Sequence, residues 1–588
     1  MMRESDANLY RAQNIVDKIW HRKSDAFTWR LAEGRAIESF PDLSEGEAER
    51  TASQARSDLA ALDVVNSEAL PHELALTIKI LRFQLGIEAQ AMNRYWLVQD
   101  CASYPAMFPI SPYGAGYLFS IVLKTFTDFS FGRPGDADRY LSLVEDYARL
   151  VNQMRQKLEG QAERGIRIPQ PALAGMRGLV ASQADATQKA LRIEFSRLGH
   201  ALVPSGFTNI VARRIEERVV PAFAALLAAI GDDYGTRAPE AVGMEQFKDG
   251  PQIYESLVAE HVSMSMTIES IHRTGHEYMD RIEGVMAKLR GSLGYSDREG
   301  FHRYLVTDHA WTARSATEMQ ARFDTLIRRI EPHVDALFRF RPAAPYRAAR
   351  LDPKLEASMS NGYYQEPMGA HPEGVYYFNG SNLSGRTLAT APSLIFHELI
   401  PGHHFHLASQ KENDLLHPLR QNLSFNAFNE GWAEYTATLA GEIGMYSDPC
   451  EQYGRHLMDA YVICRLVVDT GMNALGWSLE DARTYMREHT ALSEADIRSE
   501  TLRYSTDIPA QGLAYKIGEI KMLELRQKAR DALGERFDIR DFHDAVLRSG
   551  GMPLQVLDWH VDGWLHAQSS DEACDQNITS CATGGSSQ

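Results

Sequence analysis

Strand signals are few in this 588-residue chain, and that scarcity points to a mostly α-helical fold. The clearest is Val375-Tyr376-Tyr377-Phe378, preceded by Pro372-Glu373-Gly374 and followed by Asn379-Gly380. Aromatic and β-branched residues between turn residues read as one short strand. Helix starts, by contrast, recur. Ser44-x-x-Glu47 reads as a capping box, and Ser478-x-x-Asp481, Ser493-x-x-Asp496 and Asp538-x-x-Asp541 are acidic variants of it. Residues 137–165 and 255–292 place apolar side chains at spacings of three and four, as amphipathic helices do. Gly550-Gly551 followed by Pro553 reads as a helix stop. The expected architecture is mostly α-helical with one small β-sheet.

Turn residues at Gly231-Asp232-Asp233 and Asp249-Gly250-Pro251 suggest a soft boundary. We expect an N-terminal helical region over 1–240, a catalytic region over 241–566, and a disordered tail over 567–588, where Ser, Asp, Thr and Gly replace apolar residues. The longest apolar stretch, Val219 to Ile230, is too short to span a bilayer. No apolar segment follows Met1-Met2-Arg3-Glu4, so no signal peptide is read there. The net charge of −17, from 61 basic and 78 acidic residues, argues against nucleic acid and anionic membranes as partners. The cysteines, Cys101, Cys450, Cys464, Cys574 and Cys581, are sparse and lack metal-ligand spacing. They read as free thiols, and a cytoplasmic location is expected. Oligomeric state is not encoded in any pattern.

Chemistry concentrates in one place. His397, His403, His404 and His406 fall within ten residues, in a chain with 20 histidines. His397-Glu398 is the first half of the motif His-Glu-x-x-His, in which two histidines one helical turn apart bind zinc and the glutamate is the general base. Here position 401 is Pro, and the next histidine is six residues on. Six residues on an ideal helix rotate by about 240°, and His404, seven on, lies roughly 10 Å along the axis. With zinc–nitrogen bonds of about 2.0–2.1 Å, a regular helix cannot bring either to one metal with His397. Pro401-Gly402 offers a way out. Pro401 disrupts the preceding turn, Gly402 tolerates unusual backbone angles, and the pair can bulge so that His403 takes the place of the i+4 histidine. The competing reading is a kinked helix carrying surface histidines.

A zinc hydrolase needs a third protein ligand and an open position. Phe428-Asn429-Glu430-Gly431-Trp432-Ala433-Glu434-Tyr435 offers Glu430 and Glu434, four apart and so on one helical face. One can bind the metal while the other holds a ligand imidazole from behind. A solvated acidic face is the alternative, though Gly431 and Trp432 suit close packing.

From about Asn361 to Leu565 the chain resembles the DUF885 family of zincin-like proteins. The matching segments are Gly374-Val375-Tyr376-Tyr377, His397-Glu398-x-x-Pro401-Gly402-His403-His404, Glu430-Gly431-Trp432-Ala433, Val468-Asp469-Thr470-Gly471 with Gly476-Trp477, and Tyr515-Lys516-Ile517-Gly518. The resemblance implies a mostly helical zincin-like fold with Zn2+ held by His397, His403 and Glu430, where Glu430 occupies the motif position. Glu434, His404 and Asn473 then form a supporting shell. Two departures stand out: members usually carry Gln at the position of His406 and His at that of Asn473.

The expected activity is zinc-dependent hydrolysis of a peptide or small amide substrate, with Glu398 as general base and Tyr515 stabilising the oxyanion. Tyr515 could equally be a core tyrosine. Arg503 or Lys516 could bind a substrate carboxylate, or be ordinary helix charges. Tyr376 and Tyr377 lie on a strand that an extended peptide could join. Two rival readings are a specialised hydrolase of non-peptide amides and a non-catalytic binding protein. No Walker loop, Gly-x-Ser-x-Gly elbow or dinucleotide fingerprint is present.

Overall fold

The structure, a computed structural model, describes residues 4–100, 104–198, 203–353, 356, 361–368 and 371–583. Helices dominate, as the sequence predicts, and the described strands form one three-stranded sheet. The predicted caps are in place. Ser44 accepts from the Glu47 N–H, Ser478 and Asp481 form a reciprocal capping box, Ser493 accepts from Asp496, and Asp538 accepts from Arg540. The first predicted amphipathic helix is Asp136–Glu163. The second is two helices, Gly250–Val262 and Ile268–Ser292. Ser263 breaks it with a left-handed φ of 53°, and Thr267 caps the new start by accepting from the Ser270 N–H. The apolar period continues through that break because the start of the second helix, Ile268 and Ile271, packs on the same core as the first, while Met279 and Met286 further along reach a second core.

The sheet consists of β1 (Tyr346–Arg350), β2 (Gly362–Gln365) and β3 (Gly374–Phe378). Their order is β1-β3-β2, with β3 parallel to β1 and antiparallel to β2. Of the three, only β3 is anticipated from sequence; Arg347, Arg350 and Gln365 hide the other two. Because β3 lies in the middle, both its edges are already paired. An extended peptide therefore cannot add to it, and the expectation for Val375 to Phe378 is corrected. Among the described residues, the outer side of β2 has no strand partner. β1 is covered instead by the helix Ala316–Ile330, whose Gln320 donates to the Ala348 carbonyl.

Five helices build the site: α1 (Ala391–Glu398), α2 (His403–Glu412), α3 (Asn426–Glu442), α4 (Pro449–Ala474) and α5 (Leu513–Leu533). One apolar core runs from Ala12 in the first helix to Leu565 in the last and takes in α1, α2, α3 and α5, whereas α4 joins it through Leu466 and otherwise packs in a second core with Met279, Phe301 and Met486. The last helix, Leu554–Thr583, continues through most of the stretch read as a tail. Its polar composition argues against a core there but does not stop a helix already nucleated at Leu554 from extending. Cys450 and Cys464 are buried free thiols, whereas Cys101 lies outside the described residues. Among the described residues, no helix is long and apolar enough to cross a membrane.

Candidate metal centre

The helix carrying His397 stops at Glu398, and a new one starts at His403. Between them the chain turns through Leu399–Gly402, with a cis peptide at Ile400–Pro401. Gly402 packs so tightly that a Cβ there would lie 1.8 Å from the His397 carbonyl oxygen, which only glycine allows. The bulge expected from Pro401-Gly402 is thus a complete helix break. It brings the rings of His397 and His403 to a centroid separation of 4.7 Å. Trp432 of α3 holds the turn by donating its indole N–H to the Pro401 carbonyl, 3.0 Å away. Thr436, one turn further, donates to the Phe396 carbonyl.

The helix α3 supplies Glu430 and Glu434 on one face. Glu430 Oε2 lies 3.6 Å from His397 Nε2 and 3.3 Å from His403 Nε2. Two ligands bound to zinc at about 2.0–2.1 Å and at a tetrahedral angle are about 3.4 Å apart. All three ligand atoms lie within 4.8 Å of one another. Glu430 Oε2 is buried and makes no well-aligned hydrogen bond, although both imidazoles lie within ion-pair distance, so these atoms converge on one point. The side chains of His397, His403 and Glu430 keep 12%, 12% and 10% exposure, which leaves a narrow opening for a fourth ligand. The donor set therefore fits zinc.

Behind His397 the polarity is arranged to support a cation. His397 Nδ1 lies 3.1 Å from Glu434 Oε1, somewhat off the N–H axis. Glu434 Oε2 accepts from Arg455 at 2.9 Å. Arg455 also pairs with Asp459 and Glu519, and Lys516 bridges Asp459 at 3.2 Å and Glu519 at 2.7 Å. Three carboxylates against two cations leave one formal negative charge on the imidazole side. Burial pushes the His397 pKa down, but Glu430 and Glu434 outweigh it and raise it to about 10. Glu430 moves the other way: burial lifts its carboxyl, and the two histidines pull it far below the usual carboxylate range. Interleaved cations also explain why Glu434, Asp459 and Glu519, although clustered, are an ion-pair network and not a second metal site. Lys516 belongs to that network. Its expected role as a carboxylate binder is corrected, because both its acidic neighbours already claim it.

The remaining predicted residues divide clearly. Glu398 directly follows His397; burial raises its pKa, and the charges of His397 and His403 pull in the opposite direction. Tyr515 stacks on His397 at 6.2 Å with an interplanar angle of 10°. Burial, then Glu430, holds its hydroxyl protonated well above the ordinary phenol range. The approach of α5 to α3 depends on facing glycines: a Cβ on Gly431 would lie 2.4 Å from Gly518 backbone. That contact brings the Glu-Gly-Trp segment of α3 against the Tyr-Lys-Ile-Gly segment of α5. Arg503 is buried nearby, with Nη2 2.6 Å from Gln511 Oε1.

His404 turns away from the ligands. Its Nε2 donates to the Ala344 carbonyl at 3.1 Å, and its Nδ1 accepts from the Tyr364 hydroxyl at 2.9 Å. Tyr364, on β2, stacks over His403 at 6.3 Å and was missed in the sequence. Only the register of β2 on β3 reveals it, through the pair Tyr364–Tyr376. Tyr376 is 1% exposed and packs on Phe323, so its expected contact with substrate is corrected. Tyr377 points to the opposite face, against Tyr363 at 5.5 Å. Asn473 is fully buried at the end of α4. It donates to the Asp469 and Tyr504 carbonyls and the Asp469 carboxylate, and accepts from the Met244 N–H. Its hydrogen bonds are all spent within the fold. His406 likewise braces Gln410, which accepts from the Gly551 N–H.

A family described as "Bacterial protein of unknown function (DUF885)" matches residues 28–561. No curated protein matches the chain. The fold is similar to that of a "putative lipoprotein" from Colwellia psychrerythraea, with a TM-score of 0.82 and 21% identity over 95% of this chain and 99% of that one. It is also similar to a "putative lipoprotein of unknown function" from Shewanella oneidensis, with a TM-score of 0.72 and 16% identity over 93% and 98% of the two chains.

Proposed function

The chain belongs to the DUF885 family, and we propose that it is a zincin-like metallopeptidase, a hydrolase that cleaves a peptide or small amide bond with Zn2+ held by His397, His403 and Glu430. The observation that carries this reading is the convergence of the buried Glu430 Oε2, which makes no well-aligned hydrogen bond, with two imidazole nitrogens at 3.6 and 3.3 Å. When bound, zinc supplies Lewis acidity, polarising a carbonyl and lowering the pKa of water to about 7. Glu398 takes a proton from the attacking water and passes it to the leaving amine nitrogen. Burial favours this role by raising its affinity for the proton. Tyr515, held protonated, donates a hydrogen bond to the developing oxyanion. Glu434 orients His397 through Nδ1 and makes it a stronger ligand. The open side of β2 offers backbone groups to an extended substrate next to Tyr364. A cytoplasmic location goes with the proposal, supported by the buried free Cys450 and Cys464. Elemental analysis of purified protein, followed by a peptide-library screen with mass-spectrometric readout, tests the proposal. About one zinc per chain and cleavage that a chelator abolishes are expected. Zinc-free protein that gains no activity on zinc addition would overturn it.

A further inference from the structure

Just before the helix that carries Tyr515 lies a buried guanidinium that no ion pair fully satisfies. Arg503 is 8% exposed, and its Nε has no hydrogen-bond partner. Its nearest carboxylate, Glu500, is 3.5 Å away and also serves Arg465 at 3.7 Å, while accepting from the Tyr504 hydroxyl. Two guanidiniums thus share one carboxylate, and neither makes the two-pronged pair that the arginine fork favours. The neighbouring acids do not supply it. Asp507 accepts from the Tyr113 N–H, and Asp469 accepts from the Ala510 N–H and the Tyr254 hydroxyl. Burial pushes the carboxyl pKa of each up to about 7. Gln511, which accepts from Arg503, turns its buried side-chain N–H2 toward the Tyr515 hydroxyl without a well-aligned hydrogen bond.

The position of this group is as telling as its charge. Tyr113, 44% exposed, covers the Arg503 guanidinium at 4.2 Å. Tyr117, four residues on and equally exposed, continues the same face of the N-terminal helix Pro112–Thr127. Although Tyr117 is 44% exposed, the protein crowded around its phenol raises the pKa, and Glu366 and Tyr363, on and just beyond β2, add to the shift. Tyr104 lies among Glu430, Tyr515, Arg503 and Tyr113, all of which act on its hydroxyl after burial. Tyr113 from the N-terminal half therefore lies on Arg503, and Gln511 links Arg503 to the start of the helix whose Tyr515 stacks on His397.

We propose that Arg503, with the Gln511 amide, anchors a carboxylate of the substrate, so that the enzyme acts on peptides close to a free C-terminus. The proposal rests on the hydrolase reading and deepens it by naming the substrate class. A planar carboxylate takes the fork in two parallel hydrogen bonds, and the Tyr113 ring over the guanidinium offers an aromatic face to the residue that carries it.

Three matched peptide series test this: a free C-terminal acid, the same peptide amidated, and the amide with a glutamate placed at the C-terminal residue. The free acid should be cleaved with kcat/KM about 10- to 100-fold above the plain amide, mainly through KM. In Arg503→Met and in Gln511→Glu, which supplies Arg503 with an internal carboxylate, that ratio should collapse toward one. Arg503→Lys should restore part of it. Gln511→Glu keeps the test open if Arg503→Met fails to fold. Calorimetric titration of metal-free wild type with N-acetyl-dialanine, acid against amide, gives a readout independent of turnover, and only the acid should bind. Preference for the glutamate series would keep the carboxylate anchor but move its source to a side chain. Equal cleavage of acid and amide would overturn the anchor while upholding the hydrolase. Absence of zinc and of cleavage in every series would fail the hydrolase reading, and calorimetry would still decide the anchor.

Discussion

A side chain on Gly402 would place its Cβ 1.8 Å from the carbonyl oxygen of His397. That close approach sets His403 beside His397 although six residues separate them. Gly402→Ala should push the turn outward, separate the two imidazoles and abolish zinc binding. Overpacking of this kind typically costs about 1–3 kcal/mol, so the melting temperature should also fall. Elemental analysis beside thermal melting checks both, and full zinc retention would show that the turn tolerates the displacement.

This turn also marks the limit of what the sequence reveals. Pro401 and Gly402 announce a break in the helix, and His397, Glu398, His403 and Glu430 are legible from residue type and spacing. Tyr364 is not, because its place over His403 depends on strand register set far along the chain. Arg503 and Lys516 look alike in sequence. Only packing separates them: one is locked between two carboxylates, the other shares one at 3.5 Å. Asn473 misleads for the same reason. It lies near a motif, but α4 turns it toward Asp469 and Met244. The fold class is readable because caps and apolar periods are local, while β1 and β2, short and half polar, take their pairing from tertiary contacts.

Glu430 and Glu434 should separate by role. Glu430→Gln should lose zinc, because it removes the charged oxygen on which both histidines converge. Glu434→Gln should keep zinc but bind it about 10- to 100-fold more weakly, as is typical when a partner of a ligand histidine is changed. The isosteric change still lets the amide oxygen accept from Arg455. Competition with a chromogenic chelator measures both affinities. Tighter binding in Glu430→Gln than in Glu434→Gln would move the ligand by one turn.

Glu398→Gln should leave zinc content and melting temperature close to wild type, since Glu398 is not among the converging ligand atoms. Turnover should drop by about 10²–10⁴, the usual cost of a lost general base. Steady-state kinetics on the best substrate from the library screen would show it. Near-normal turnover would mean that another group accepts the proton.

The last prediction concerns acid stability and rests on His543. It is fully buried, donates through Nδ1 to the Leu337 carbonyl at 2.8 Å, and accepts from the Tyr435 hydroxyl at Nε2, 2.7 Å away. Protonating Nε2 would set two donors against each other, and burial pushes the pKa down to about 3. The unfolded chain, with a histidine pKa of about 6.5, takes up the proton first as the pH falls. The stability from this residue is therefore complete above about pH 6.5 and is lost progressively toward pH 3, by about 2 kcal/mol at pH 5. His406 and His261, also pushed down to about 3 by burial, act in the same direction. His397, raised to about 10, contributes fully below pH 6.5 and does not offset the loss. Metal-free protein should thus melt at a lower temperature at pH 5 than at pH 7, and His543→Gln, which cannot titrate, should show a smaller drop. Identical pH dependence in the two proteins would remove His543 as a source of acid sensitivity.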